Sequence, residues 1–212
     1  HLMSDQPINM TSMFRNADAF NQDIGGWDVS KVSAMQQMFY DADSFNNGGV
    51  GGSGVGLDTW DTSEVTSMTD MFLSADSFNQ DIGTWDVGKV TSAHGMFQAT
   101  FLFNSKPTSG NWGANLPAGG EVNLSGMFGS SSVFNQDIGY FDTSRVWSMA
   151  SMLYRGGNVF NNGGVGGVGV GMDTWDVGKV RSFNRFLDQD VSFNQYLGSW
   201  TFLTGDITAG TN

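Results

Sequence analysis

Aspartate is the one residue of this chain whose recurrence could do acid–base chemistry. It follows an aromatic at Asp28, Asp61, Asp86, Asp142 and Asp176. Two carboxylates flanking a bond can act as general acid and base. Aspartates that return in register are placed as structural residues are, however, and the simplest role here is a helix N-cap that accepts first-turn amides. Other catalytic chemistry lacks its parts. His94 is the one histidine beyond His1, and cysteine is absent. Neither a nucleophilic triad nor a zinc site can be assembled from that set. No phosphate-binding loop or dinucleotide fingerprint occurs. The chain reads as a non-enzyme without a cofactor.

What remains is contact chemistry. Thr59, Thr84, Tyr140 and Thr174 each stand immediately before a recurring aromatic, in an outward-looking position. That column also holds Gly26 and Ser199, too mixed a set for the flat threonine array of an ice binder. Asp58 and Asp173 lie beside two glycine-rich insertions, G-G-V-G-G-S-G-V-G and G-G-V-G-G-V-G-V-G. The string from Gly54 to Trp60 is similar to the glycine- and aspartate-rich turns that bind calcium in β-rolls. Such sites need consecutive turns that share ligands, and each string here stands alone. Two readings stay open, a calcium site and a flexible Gly/Val loop.

The elements that must position these residues follow from a repeat. Phe-Asn occurs at Phe20, Phe45, Phe78, Phe103, Phe134, Phe160 and Phe193, at intervals of 25, 33, 25, 31, 26 and 33 residues. Periods of this size mark stacked repeats. Val65, Met68, Met71, Phe72 and Ala75 share one face of a helix of two or three turns. Ile82 to Asp86 reads as a strand that stacks in parallel with its counterparts. The asparagine column can bridge each turn to its neighbours, because the side chain offers both donors and an acceptor. The expected fold is an α/β repeat of about seven coils, each a short parallel β-strand plus a short helix. Trp60 and Trp175 are 115 residues apart, as are Phe78 and Phe193, so a four-coil block is duplicated. The fourth coil is the most degenerate. Pro107 and Pro117 argue for a loop there, and the break either bends the stack or presents Trp112 to a ligand. Residues 1–3 look like a cloning scar, 4–200 form a single solenoid, and 201–212 are a C-terminal cap or linker.

Composition narrows the partners. The net charge is −12, with 21 acidic and 9 basic residues. That argues against nucleic acid and against anionic membrane surfaces, both of which need basic patches. It suits a basic protein, a neutral glycan or a cation. No apolar run reaches the ~20 residues of a membrane-spanning helix, so this segment has no means of direct membrane insertion.

The unit F-N-Q-D-I-G-x-W-D-V-S-x-V-T-x-M-x-x-M-F-x-x-A resembles the repeat of BspA-type leucine-rich-repeat surface proteins. It is more similar still to the branch found in mycoplasma lipoproteins and in many bacterial and algal surface proteins. Phe20 to Gly25, Phe78 to Gly83 and Phe134 to Gly139 carry its F-N-Q-D-I-G core. The resemblance covers about Met10 to Trp200. It implies a leucine-rich-repeat-like solenoid, an extracellular or cell-surface location, and adhesion to protein or glycan on another cell or a host. No site residue carries over from it. Recognition through the strand face and the edge loops is the expected function; the alternative is a structural or self-associating spacer of a long surface protein, stabilised by calcium.

Overall fold

The apolar columns of the repeat turn inward, and the backbone between them decides the fold. A computed structural model of the protein describes residues 6–49, 56–155 and 159–202. Residues 1–3, most of the first Gly/Val insertion and most of the expected C-terminal cap lie outside the described residues. Extended backbone occurs in very short pieces. β1 (Ile8–Asn9) pairs in parallel with β2 (Val32–Ala34), and β3 (Val122–Asn123) with β4 (Val146–Ser148). Single parallel bridges link Ala34 to Ser67, Ser67 to Ser92, Ser92 to Asn123, and Ser148 to Ser182. One row of parallel pairing therefore passes through every repeat. We read it as the spine of a stack of coils. A separate antiparallel pair joins β5 (Gly166–Gly167) to β6 (Val170–Gly171) inside the second insertion.

The stretches read from sequence as helices are successions of tight turns, and no α-helix occurs among the described residues. In the second coil Met38 N–H donates to Met35 O, Tyr40 to Gln37 and Ala42 to Phe39, each closing a four-residue turn. The amides between these donate to the next coil: Met35 to Ser67 O, Gln37 to Thr69 O, Phe39 to Met71 O and Asp41 to Leu73 O. Donors thus alternate between the turn and the stack. An α-helix would spend them all on its own i−4 carbonyls. In alternate turns the third residue lies at positive φ, as in Gln37 and Asp41, Asp70 and Ser74, Gly95 and Ala99, and Ser151 and Arg155. A left-handed residue at that place is what a type II turn requires. Turns of this length return a side chain to the core every three or four residues, which is also the spacing of a helical face.

Two further expectations shift with the helix. Ile82 to Asp86 is a turn closed by Trp85 N–H to Ile82 O at 3.0 Å, not a strand. Extended backbone falls instead on the Val32 and Val146 column, which had been assigned to the helix. The recurring aspartate caps no helix either. Oδ1 of Asp28, Asp61, Asp86, Asp142 and Asp176 accepts the amide two residues on, at 2.7–3.1 Å. This is an Asx turn, in which the side chain mimics a backbone carbonyl.

The core is a pair of phenylalanine files. Phe14, Phe39, Phe72, Phe97 and Phe128 stack with ring centroids 5.4–5.7 Å apart. Phe20, Phe45, Phe78, Phe103, Phe134, Phe160 and Phe193 stack at 5.8–6.1 Å. Indole N–H groups of Trp60, Trp85, Trp175 and Trp200 donate to carbonyls of Ile24, Leu57, Ile138 and Met172 one coil before, at 2.7–3.2 Å. The asparagines form a ladder. Oδ1 of Asn21, Asn46, Asn79, Asn104, Asn135 and Asn161 accepts the backbone N–H of the next coil's asparagine at 2.7–3.0 Å.

Two substitutions test this backbone. In a helix Ala99→Gly would cost about 1 kcal/mol. At φ 55° glycine is the preferred residue, so Ala99→Gly is expected to leave stability unchanged or raise it in urea denaturation. Asn46→Ala removes the acceptor of Asn79 N–H and of the Gln80 side-chain amide. It is expected to cost about 1–3 kcal/mol, with Asn46→Asp, which keeps the acceptor, closer to the wild type.

Candidate functional surface

The pre-aromatic column forms one exposed row whose members are tied from coil to coil. Thr59 Oγ1 donates to Gly25 O and Gly56 O, both at 3.0 Å. Thr84 Oγ1 donates to Asp58 O at 2.6 Å. Tyr140 OH donates to Thr108 O at 3.0 Å, and Thr174 Oγ1 to Gly171 O at 2.9 Å and Gly139 O at 3.2 Å. Each hydroxyl proton is thus spent on the scaffold. The hydroxyl oxygens are thereby held at fixed positions along the stack.

Tyr140 gives the row its aromatic surface. Its ring lies over Gly110, where an added Cβ would come within 2.7 Å of Cδ2. The Lys106 ammonium sits 5.1 Å from the ring centroid, within cation–π range. Phe141 meets the ring edge-on at 5.2 Å. Burial pushes the phenol well above the ordinary tyrosine range, and the charges of Asp137 and Asp81 push it the same way. Lys106 escaped the sequence reading because it lies in the degenerate fourth coil, where no column could be assigned to it.

The two insertion aspartates stand differently. Asp173 is buried, and its carboxylate holds the second insertion closed. Oδ2 accepts Gly169 N–H and the Ser199 hydroxyl at 2.7 Å, and Oδ1 accepts Ser199 N–H at 2.8 Å. Burial by itself would raise this carboxyl, but the bonds from Gly169 and Ser199 outweigh it and hold the group below the ordinary range. The insertion itself is a two-residue hairpin with Val168 exposed at its tip, a defined structure where a flexible loop was one reading. Asp58 is half-buried, and its Oδ1 has no partner among the described residues. No group of three or more acidic or histidine side chains converges on a point among the described residues.

Trp112 faces no ligand. It is fully buried. Ser109 N–H bonds to Trp85 O, which places Ser109 and Gly110 at the aromatic level of the fourth coil. Gly110 has no side chain to fill that level. Trp112, two residues on, meets the Phe141 ring edge-on at 5.7 Å. It compensates for a missing column residue from inside the core.

No helix among the described residues is long and apolar enough to cross a membrane. A family model described as "Mycoplasma protein of unknown function, DUF285" matches residues 4–50, 54–116 and 121–205. The breaks in the match fall in the first Gly/Val insertion and at Pro117. Searches of curated proteins and of solved structures returned no significant match.

Two measurements check the row. Of the four tyrosines, Tyr140 is expected to ionise last in an alkaline absorbance titration, and Tyr140→Phe should remove that last step alone. Asp173, with its pKa lowered by folding, stabilises the native state at neutral pH, and the contribution disappears as pH falls through the native value. Asp173→Asn should therefore melt earlier than the wild type at neutral pH, with the gap closing as pH falls below the ordinary aspartate range.

Proposed function

The chain belongs to this Mycoplasma repeat family, and from that premise we propose that it is a non-catalytic recognition module displayed at the cell surface. It is read as a BspA-like, leucine-rich-repeat-like solenoid that binds protein or glycan through its outward columns and edge loops. The observation that carries the reading is the tethered row from Thr59 through Thr84 and Tyr140 to Thr174. Its polar atoms are locked by inter-coil hydrogen bonds, so little conformational entropy is lost when a ligand covers them. Tyr140 adds an aromatic face with a cation beside it, a combination that suits the apolar and hydroxylated sides of a sugar ring. The carboxylates of the recurring column are already committed to Asx turns. A net charge of −12 favours neutral or basic ligands.

A glycan array and pull-downs from surface extracts test the proposal. A retained ligand should lose roughly tenfold in affinity on Tyr140→Ala, the loss typical of an anchoring aromatic. Thr84→Ala should weaken it less. The absence of any ligand in both screens, or a ligand indifferent to Tyr140 and to replacement of both Gly/Val insertions by short turns, would sink the idea.

A further inference from the structure

A second column runs along the coils two positions and one position before each Phe-Asn phenylalanine. It changes character abruptly. In the first three coils it carries Asp18, Asp43 and Asp76. In the last four the two positions carry Phe101 and Leu102, then Ser132 and Val133, then Val159 at the nearer position, then Val191 and Ser192; the five apolar residues are all exposed, Leu102 at 57% and Val191 at 79%. The coils are in register here: Ser44 N–H bonds to Asp18 O, Ser77 to Asp43 O and Leu102 to Asp76 O, at 3.0–3.2 Å. The Ser132 hydroxyl continues the sequence to Phe101 O. An acidic half and an apolar half therefore lie end to end on one edge. The apolar side chains serve no core, since the phenylalanine files beneath them are complete without them. Exposed apolar residues that gather on one face, as against scattered ones, mark an interaction site.

We propose that this edge docks a protein segment in which an apolar run adjoins a basic run. The electrostatics select the occupant. Asp76 stands with Asp43 and Asp41 close enough that, after burial, their charges raise its pKa, so this half of the edge favours a cation. An anionic lipid surface would be repelled by the acidic half. A second copy of this chain supplies no basic run on its own edge, and an antiparallel copy would set its aspartates against the valines. Coils stack about 4.8 Å apart, so four apolar coils span about 14 Å, the length of about four extended residues. The three acidic coils take a basic run of similar length. This edge is a different column from the tethered row, and the proposal does not rest on the function read from that row.

The test uses a fluorescent synthetic peptide with about four leucine and valine residues followed by about four lysines, a length set by the coil rise. A control peptide carries glutamate in place of lysine. The lysine peptide is expected to bind the full chain, and salt should weaken it; the glutamate peptide should not bind. Leu102→Ser with Val133→Ser should cost at least tenfold, and so, independently, should Val159→Ser with Val191→Ser, should the first pair not fold. Asp43→Asn with Asp76→Asn should weaken binding several-fold and flatten its salt dependence. Tyr140→Ala should change nothing, which separates this edge from the row. Wild-type affinity in both serine pairs overturns the proposal. So does sedimentation showing a dimer that the serine pairs abolish while the lysine peptide fails to bind, because a second copy would then own the edge.

Discussion

Everything in this molecule rests on the alternation of backbone amides between the turn they close and the coil they touch. Met35, Gln37, Phe39 and Asp41 donate outward to the next coil, while Met38, Tyr40 and Ala42 donate inward. The outward set fixes the distance between coils, and that distance is what lets the rings of Phe39, Phe72 and Phe97 stack and the asparagine ladder close. Side chains then complete what the main chain leaves open. The indole N–H of Trp85 and the hydroxyl of Thr84 both answer carbonyls one coil back. Surface and core are therefore built by one device, and the outward columns inherit their rigidity from it.

The repeat was fully legible in the sequence, because phenylalanine and asparagine do irreplaceable work at their positions. Asparagine alone supplies an uncharged acceptor for the neighbour's amide along with donors for its own turn, so its role could be read from its chemistry. The helix could not be rejected on the same grounds. A chain of type II turns places Met35, Met38, Phe39 and Ala42 inward with helical spacing, and the residues that betray it, Gln37 and Asp41, are ordinary polar residues. Glycine marks the same place only at Gly95 and Gly126. The left-handed signal is thus visible in only two coils out of seven. Trp112 misled for a related reason: a broken column gives no register, and an unplaced tryptophan looks like a contact residue when it is a core residue packed against Phe141.

The proposed binding surfaces were legible only in part, since outward positions are the ones the scaffold leaves free. Thr59, Thr84, Tyr140 and Thr174 could be found because they neighbour a column with a strict requirement. The edge that passes from Asp18 to Val191 could not, because nothing about Asp43 or Leu102 by itself distinguishes it from any exposed residue. Its order appears only when coils are laid in register. A repeat fold turns sequence intervals of 25 to 33 residues into distances of one coil, so patterns diluted in the chain become continuous on the surface.

The same alternation sets how the stack holds together. A coil with two left-handed non-glycine residues begins with a deficit of about 2–4 kcal/mol. Its own turn bonds are local and weak, and a lone coil has no neighbour against which to bury its apolar side chains. Four amides bonded to the next coil contribute about 0.5–1.5 kcal/mol each, which offsets the deficit only when a neighbour is present. No coil can then be stable alone, and stability belongs to interfaces between coils, as expected of linear repeats. The fourth coil is where Gly110 stands at the aromatic level and Trp112 leaves its indole N–H buried and without a partner among the described residues. It is also where the acidic edge gives way to the apolar one, at Phe101 and Leu102.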